Sequence, residues 1–353
     1  MKIFLDIGHP AHVHYFKHLI RRMQEKGHSF VITARDKEVA HKLLQAEGIG
    51  YISRGKGSDS IIGKIFYMLK ADIQLYNIAK KENPDLFLSF ASPYCAQVSK
   101  LMGKPHITLD DTETATYGQM FYRLFSDVIL TPKSFKKDFG KKQLRYPSFI
   151  ELAYLHPDLF TPDSSIFDQL GLQYGDPYVI IRFVSLAAAH DAGQKGISFE
   201  NKRKSVNEFS KHARVFISSE KELPDELTGY QLKLPPERIH HALAYAKMFY
   251  GESATMASES AMLGTPAIFV NNKMMELGTI RDQEKKYGIV YSFEETEEEQ
   301  RNSIEKAIEI LKSDGEAWKK RREGMLKKNL NMTNYLESYI DSYFKESTDS
   351  SAH

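Results

Sequence analysis

Short, almost purely apolar runs separated by longer amphipathic ones constrain this chain more than any other feature of its sequence. In the first third the candidate strands are 2–7 (KIFLDI), 28–33 (HSFVIT), 49–52, 85–89 (DLFLS), 105–109 (PHITL) and 127–130 (DVIL). Helical spacing fills the gaps, at about 12–26, 36–47, 59–82, 93–102 and 115–126. Strands without polar alternation, each followed by a helix, imply a parallel sheet covered on both faces. Gly27, Gly48 and Gly103 each follow a helical run, where a C-terminal cap glycine belongs. The pattern stops at 147–177, a stretch holding Pro147, Pro157, Pro162 and Pro177, which reads as a linker and the entry to a second domain.

The alternation then resumes, with strands at 178–183 (YVIIRF), 213–217 (RVFIS), 247–250, 266–270 (PAIFV) and near 288–291. Helices fall at about 201–212, 236–246 and 254–263, and charged helical runs follow at 296–313, 315–328 and 332–344. Glu346 to His353 read as disordered. The expected architecture is α/β, with two Rossmann-like doubly wound domains facing across a cleft. They would span 1–160 and 175–330, the helix at about 330–345 packing back on the first.

Composition fits two such cores: 353 residues, 42% hydrophobic and 27% charged. With 48 basic against 46 acidic residues, net charge gives no reason to expect a nucleic-acid partner. A single cysteine, Cys95, excludes an internal disulfide framework and a cysteine zinc cluster, and a reduced thiol fits the cytoplasm. The opening Met1 to Asp6 is too short and too early charged for a signal peptide. No run approaches the roughly 20 apolar residues that span a bilayer, so a soluble protein is expected.

Two turns carry the strongest chemical signals. After the first strand, Gly8-His9-Pro10-Ala11-His12-Val13-His14 places three histidines where ligands bind in an open α/β sheet. Histidine is suited to accept a proton near neutral pH, so His12, His9 and His14 are candidate catalytic groups. The plain alternative is that His12 and His14 cap and pack the first helix. No G-x-G-x-x-G is present, which counts against a dinucleotide enzyme, and no second ligand pair supports a metal site. In the second turn, Gly251, Ser253, Ala254 and Thr255 open a helix whose free N–H groups and positive dipole end suit a diphosphate. Glu259, one turn beyond Thr255, is placed to accept from ribose hydroxyls; ordinary N-capping is the alternative.

The segment Gly251 to Val270 resembles the donor-site signature of GT-B glycosyltransferases. It is similar both to the peptidoglycan transferase MurG and to the non-hydrolysing UDP-GlcNAc 2-epimerases. The resemblance implies diphosphate at the helix start and ribose on Glu259, and the turn Leu263-Gly264-Thr265-Pro266 also matches. His12 sits where MurG-like enzymes carry a loop histidine, with G-H-P-A-H in place of G-G-T-G-G-H. With P-A-H-V-H near its start and Ala34-Arg35, the chain over 1–340 also resembles a bacterial and archaeal domain-of-unknown-function family of GT-B type. The epimerases carry H-x-E-A-G-L-R where this chain has Asp110-Asp111-Thr112-Glu113 without the following Gly-Leu-Arg. These carboxylates either serve acid–base chemistry or cap a helix. Arg182, at a strand end, suits a diphosphate, and Ser219 and Asn271 lie at neighbouring strand ends. The loop from Ser185 to Gly196, with His190, Asp191 and Gly193, is long and polar, as a substrate loop would be.

Together these readings imply a metal-independent, inverting transfer from a nucleotide-activated sugar, with UDP the expected nucleotide and no cofactor. The donor rests on the second domain and His12 removes the proton of a glycan or lipid-linked acceptor. The alternatives are a UDP-sugar 2-epimerase and a non-catalytic sugar-nucleotide-binding protein. MurG-like transferases touch membranes, and Ile61, Ile62, Ile65, Phe66, Met68 and Leu69 with the basic stretch Lys133 to Arg145 would suit peripheral contact at the inner face. Packing of that helix on its own sheet is the alternative.

Overall fold

Continuous apolar strands become two parallel sheets, each in its own unit of the chain. The computed structural model describes residues 1–37, 39–57, 61–184, 196–219, 222–272 and 276–350, without the side chains of 61–66 and 346–350. Unit 1 is Met1–Leu159 with Asn329–His353, and unit 2 is Phe160–Lys328.

In unit 1 the chain runs β1 (Lys2–Ile7), α1 (Pro10–Glu25), β2 (Ser29–Ala34), α2 (Ala40–Ala46), β3 (Ile52–Ser53) and α3 (Ile61–Glu82). It continues with β4 (Leu86–Phe90), α4 (Pro93–Leu101), β5 (His106–Leu109), α5 (Thr116–Phe125), β6 (Val128–Pro132) and β7 (Gln143–Tyr146). The sheet order is β3-β2-β1-β4-β5-β6-β7. From β1 the chain builds outward through β2 and β3, then crosses to β4 on the other side. The carboxyl ends of β1 and β4 therefore form the topological switch point, the crevice where open α/β sheets bind ligands.

Unit 2 holds α6 (Ile166–Gln169), β8 (Tyr178–Phe183), α7 (Phe199–Phe209), β9 (Arg214–Ser219), α8 (Ile239–Tyr245) and β10 (Met248–Gly251). Then follow α9 (Ala254–Leu263), β11 (Ala267–Val270), α10 (Gly278–Asp282), β12 (Val290–Phe293), α11 (Glu297–Lys312) and α12 (Glu316–Leu326). Its order β12-β11-β10-β8-β9 puts the switch point at the ends of β8 and β10. Its core gathers strand residues such as Val179, Ile181 and Ile268 with Phe209, Ile304 and Trp318 from the covering helices.

Three features depart from the sequence reading. Strand β7 lies in the basic stretch before Pro147; as an edge strand with Leu144 and Arg145 exposed, it carries no apolar signature. Residues 147–155, expected as linker, are core: Ile150, Leu152, Ala153 and Leu155 are fully buried. They are covered by α13 (Met332–Ser350), whose Thr333 hydroxyl donates to the Ala153 carbonyl at 2.7 Å. That helix also runs past Glu346, where disorder was expected. It is held on α1 by Lys26, which reaches Glu337 at 2.7 Å and Asp341 at 2.6 Å. Among the described residues, no helix is long and apolar enough to cross a membrane. The side chains of Ile61, Ile62, Ile65 and Phe66 lie outside the described residues, while Leu69 is exposed.

His106, at the start of β5, is fully buried between the Ser89 and Ser126 hydroxyls, each 2.9 Å from a ring nitrogen. Burial pulls its pKa down to about 3. The unfolded chain takes up this proton below about pH 6.5 while the native state refuses it, so stability falls as pH drops from about 6.5 toward 3. His106→Gln keeps a neutral polar group that does not titrate. Urea midpoints at pH 7 and pH 4.5 should differ less in this variant than in the wild type; equal differences would show that His106 does not carry the effect.

Candidate functional site

A pocket of about 280 Å³ opens at the switch point of unit 1, lined by residues from the ends of β1, β2, β3, β4 and β5. Beneath it lies Asp6, fully buried in β1. Its carboxylate accepts the Thr33 hydroxyl at 2.8 Å and the Ser92 hydroxyl at 2.6 Å. Arg54, just past β3, brings Nε within 2.9 Å of Oδ1 as an ion contact and donates from a terminal nitrogen to Oδ2 at 3.2 Å. Its guanidinium also lies over the Tyr94 ring at 4.9 Å and donates to the Tyr67 hydroxyl at 2.9 Å. The second arginine of the pocket, Arg35, lies over Tyr67 at 5.5 Å.

The three histidines separate. His9 is the N-cap of α1, its Nδ1 accepting the Ala11 N–H at 3.2 Å, and it lines the pocket. His12 also lines the pocket, and its Nδ1 accepts the Gly8 N–H at 3.2 Å. Burial, then the charges of His9, Lys37 and Arg54, hold His12 well below the usual histidine range, so the ring is neutral. A neutral imidazole that accepts at Nδ1 carries its proton on Nε2. Both rings thus offer an N–H donor. His14, by contrast, is buried and stacks on Tyr154 at 5.3 Å, away from the pocket lining.

Of the acidic group only Asp110 lines the pocket. It accepts from the Thr112 N–H at 3.0 Å, from Gln119 at 3.0 Å and from the Tyr122 hydroxyl. Burial, with Glu151 and Asp110 as neighbours, pushes the Asp111 carboxyl up to about 8, so it holds a proton at neutral pH. Glu113 is buried and accepts the Lys136 N–H at 3.1 Å. Glu151 is a buried member of this group that sequence reasoning missed; a lone acid inside the apolar run Phe149 to Leu155 was the available signal.

At the switch point of unit 2, Gly251 ends β10 so close to β8 that an added Cβ would stand 2.2 Å from the Arg182 carbonyl oxygen. Ser253 caps α9, its hydroxyl accepting the Met256 N–H at 3.3 Å. Ala254 and Thr255 form the half-buried first turn. Arg182 donates to the Ser218 hydroxyl at 3.0 Å, next to Ser219 at the end of β9, and Asn271 follows β11. Glu259 is nearly buried, with an oxygen 3.0 Å from Nε2 of His240. Glu252, also unforeseen, is buried and accepts the N–H groups of Val184 at 2.6 Å and Ile197 at 2.7 Å, with the Lys202 ammonium at 3.1 Å. His190, Asp191 and Gly193 lie outside the described residues. Among the described residues, no cluster of three or more His, Cys, Asp or Glu is arranged to hold a metal ion.

Asp111 keeps its proton in the native state up to about pH 8 and loses it near pH 4 when unfolded. The native state is therefore penalised as pH rises between those values. Asp111→Asn should gain stability relative to wild type as pH goes from 5 to 8, read from urea midpoints; a constant difference would mean that Asp111 titrates normally. Gly251→Ala should cost about 1–3 kcal/mol by forcing β8 and β10 apart, measured by thermal or urea unfolding, and a neutral variant would contradict that close approach.

Comparison with known proteins identifies the fold. An uncharacterised protein of Methanocaldococcus jannaschii is 24% identical over 280 residues, covering 76% of this chain and 81% of that protein. UDP-GlcNAc 2-epimerase from Neisseria meningitidis, solved bound to UDP-GlcNAc, superposes with a TM-score of 0.70 at 14% identity, covering 98% of this chain and 100% of that one. MurG from Acinetobacter baumannii gives a TM-score of 0.60 at 12% identity, covering 97% and 99%. The two parallel-sheet units are thus the GT-B fold of these proteins. The strand-end pocket, the first helix and the α9 turn all fall within residues 1–284, which match the family described as "Protein of unknown function (DUF354)", and this chain belongs to that family.

Proposed function

We propose that this chain is an enzyme of nucleotide-activated sugars that transfers the sugar from a UDP-sugar to a glycan or lipid-linked acceptor, without a metal. The observation that carries the reading is the unit 2 switch point. There the side-chain-free Gly251 and the start of α9 bring backbone N–H groups to the end of β10, with Arg182 on the neighbouring strand β8. Such a set suits a diphosphate and stabilises it as it departs. The folds of neighbours solved with UDP or UDP-GlcNAc support the same substrate class. In this reading the protein works at the cytoplasmic face of the membrane in cell-surface glycan synthesis.

His12 acts as base only if its ring gives up the Gly8 N–H and carries its proton on Nδ1; otherwise it donates from Nε2. His12→Ala should lower turnover by about 10²–10⁴-fold in either case. His12→Gln separates the two, since it retains a donor and cannot serve as a base.

Binding tests the donor site directly. Arg182→Ala should weaken UDP and pyrophosphate alike, by tenfold or more in calorimetric titration. Glu259→Gln should weaken UDP more than pyrophosphate, because ribose is present only in UDP; equal losses would remove Glu259 from the ribose site. Excess EDTA should leave UDP-sugar binding and turnover unchanged, and a loss restored by magnesium would overturn the metal-independent reading.

An isomerase is the second reading, favoured by the protonated Asp111 carboxyl beside Asp110 and Glu151. Solvent deuterium entering the sugar of UDP-GlcNAc in D2O without acceptor would decide for it. UDP release only on adding an acceptor would decide for transfer, and nucleotide binding indifferent to His12 would mark a binding protein.

A further inference from the structure

We propose that the pocket of unit 1 is a phosphate site, anchored by Arg35, and that the acceptor is a phosphate-bearing molecule. The word acceptor rests on the transfer reading above; the anion site does not.

The pocket is lined chiefly by donors. His9 and His12 each spend Nδ1 on a backbone N–H, which puts their ring protons on Nε2. The capped starts of α1 and α4 border the same space and bring the positive ends of both helices to it. The one carboxylate in the lining, Asp110, is occupied by three donors.

The two arginines differ in their balance. The charge of Arg54 is met by Asp6 beneath the pocket. Arg35 makes no ion pair among the described residues, and its Nε is buried without a hydrogen-bond acceptor. Its guanidinium is held in place from two sides, by the Tyr67 ring and by the backbone at Gly57. An added Cβ at Gly57 would stand 1.9 Å from a terminal nitrogen of Arg35. A cation fixed in position, with an unsatisfied donor and imidazole N–H groups near it, lacks an anion among the described residues. Phosphate accepts from several directions at once through its tetrahedral oxygens, and guanidinium is the side chain best shaped for it.

Inorganic phosphate is the probe. Unit 2 offers a second anion site, so calorimetric titrations use Arg182→Ala protein, in which that site is weakened. Adding Arg35→Met should lower phosphate affinity at least tenfold, and Arg35→Lys should recover part of it. Gly57→Ala should mimic Arg35→Met without changing any charge, because the new methyl displaces the guanidinium; a flexible side-chain end yields to it, so this variant should fold. Phosphate affinity that is the same with and without Arg35 in folded protein overturns the site, as does an undiminished affinity in Gly57→Ala. UDP binding is measured in parallel with Arg182 restored. Loss of phosphate binding in Arg35→Met with UDP affinity kept supports both readings. If UDP does not bind or ignores Arg182→Ala while phosphate still depends on Arg35, the donor reading fails and the pocket stands. Sedimentation with vesicles of phosphatidylcholine containing phosphatidic acid identifies the source. Arg35-dependent vesicle binding assigns the phosphate to a lipid. Arg35-dependence for inorganic phosphate alone assigns it to a soluble phosphomonoester.

Discussion

The ion pair of Asp6 and Arg54 joins four strand ends of unit 1 at one place. Asp6 belongs to β1, takes a hydroxyl from β2, another from the turn after β4, and a guanidinium from the end of β3. Both side chains are almost wholly out of water, Asp6 at 0% and Arg54 at 4% exposure. Removing one partner of such a pair leaves a buried charge and costs about 3–5 kcal/mol. Unit 2 repeats the device with different parts. There Glu252, directly after β10, holds two backbone N–H groups and the Lys202 ammonium at the ends of the central strands. Each sheet thus has a buried acid where its strand order reverses.

This arrangement explains the chemistry left at the surface of each switch point. In unit 1 Asp6 is engaged internally, and the pocket above it is lined by His9, His12, Arg35 and Arg54. Glycine supplies the close approaches: Gly251 lets β10 run against the Arg182 backbone, and Gly57 lets the chain press on Arg35.

Much of this was legible in the sequence because periodicity reports burial directly. Strands such as 2–7 and 178–183 are covered on both faces, so their apolar runs are continuous, and the βα alternation implies that they run parallel. The turn before α9 was legible as a helix start, because a serine cap after a glycine-ended strand is a local signal, and Ser253 is the N-cap of α9. What was missed depends on contacts between residues far apart in the chain. Arg54 follows a two-residue strand, and nothing local shows that its partner lies 48 positions earlier. Glu252 reads as one polar residue among several, and its role appears only when Val184 and Ile197 converge on it. β7 escaped because an edge strand with one exposed face has no need of apolar residues. The residues 147–155 were misread because four prolines mark the neighbourhood, whereas their burial comes from a helix almost two hundred positions later. His12 and His14 look equivalent in sequence, and only the stacking of His14 on Tyr154 separates a packed ring from one at the pocket.

Glu252 has one more consequence. Its two oxygens hold Val184 and Ile197, which flank the segment 185–195, and Gly196 passes so near that an added Cβ would stand 2.6 Å from one of them. Glu252 thus acts as a staple that ties the end of β8 to the chain entering α7, and Lys202 closes the staple from within that helix.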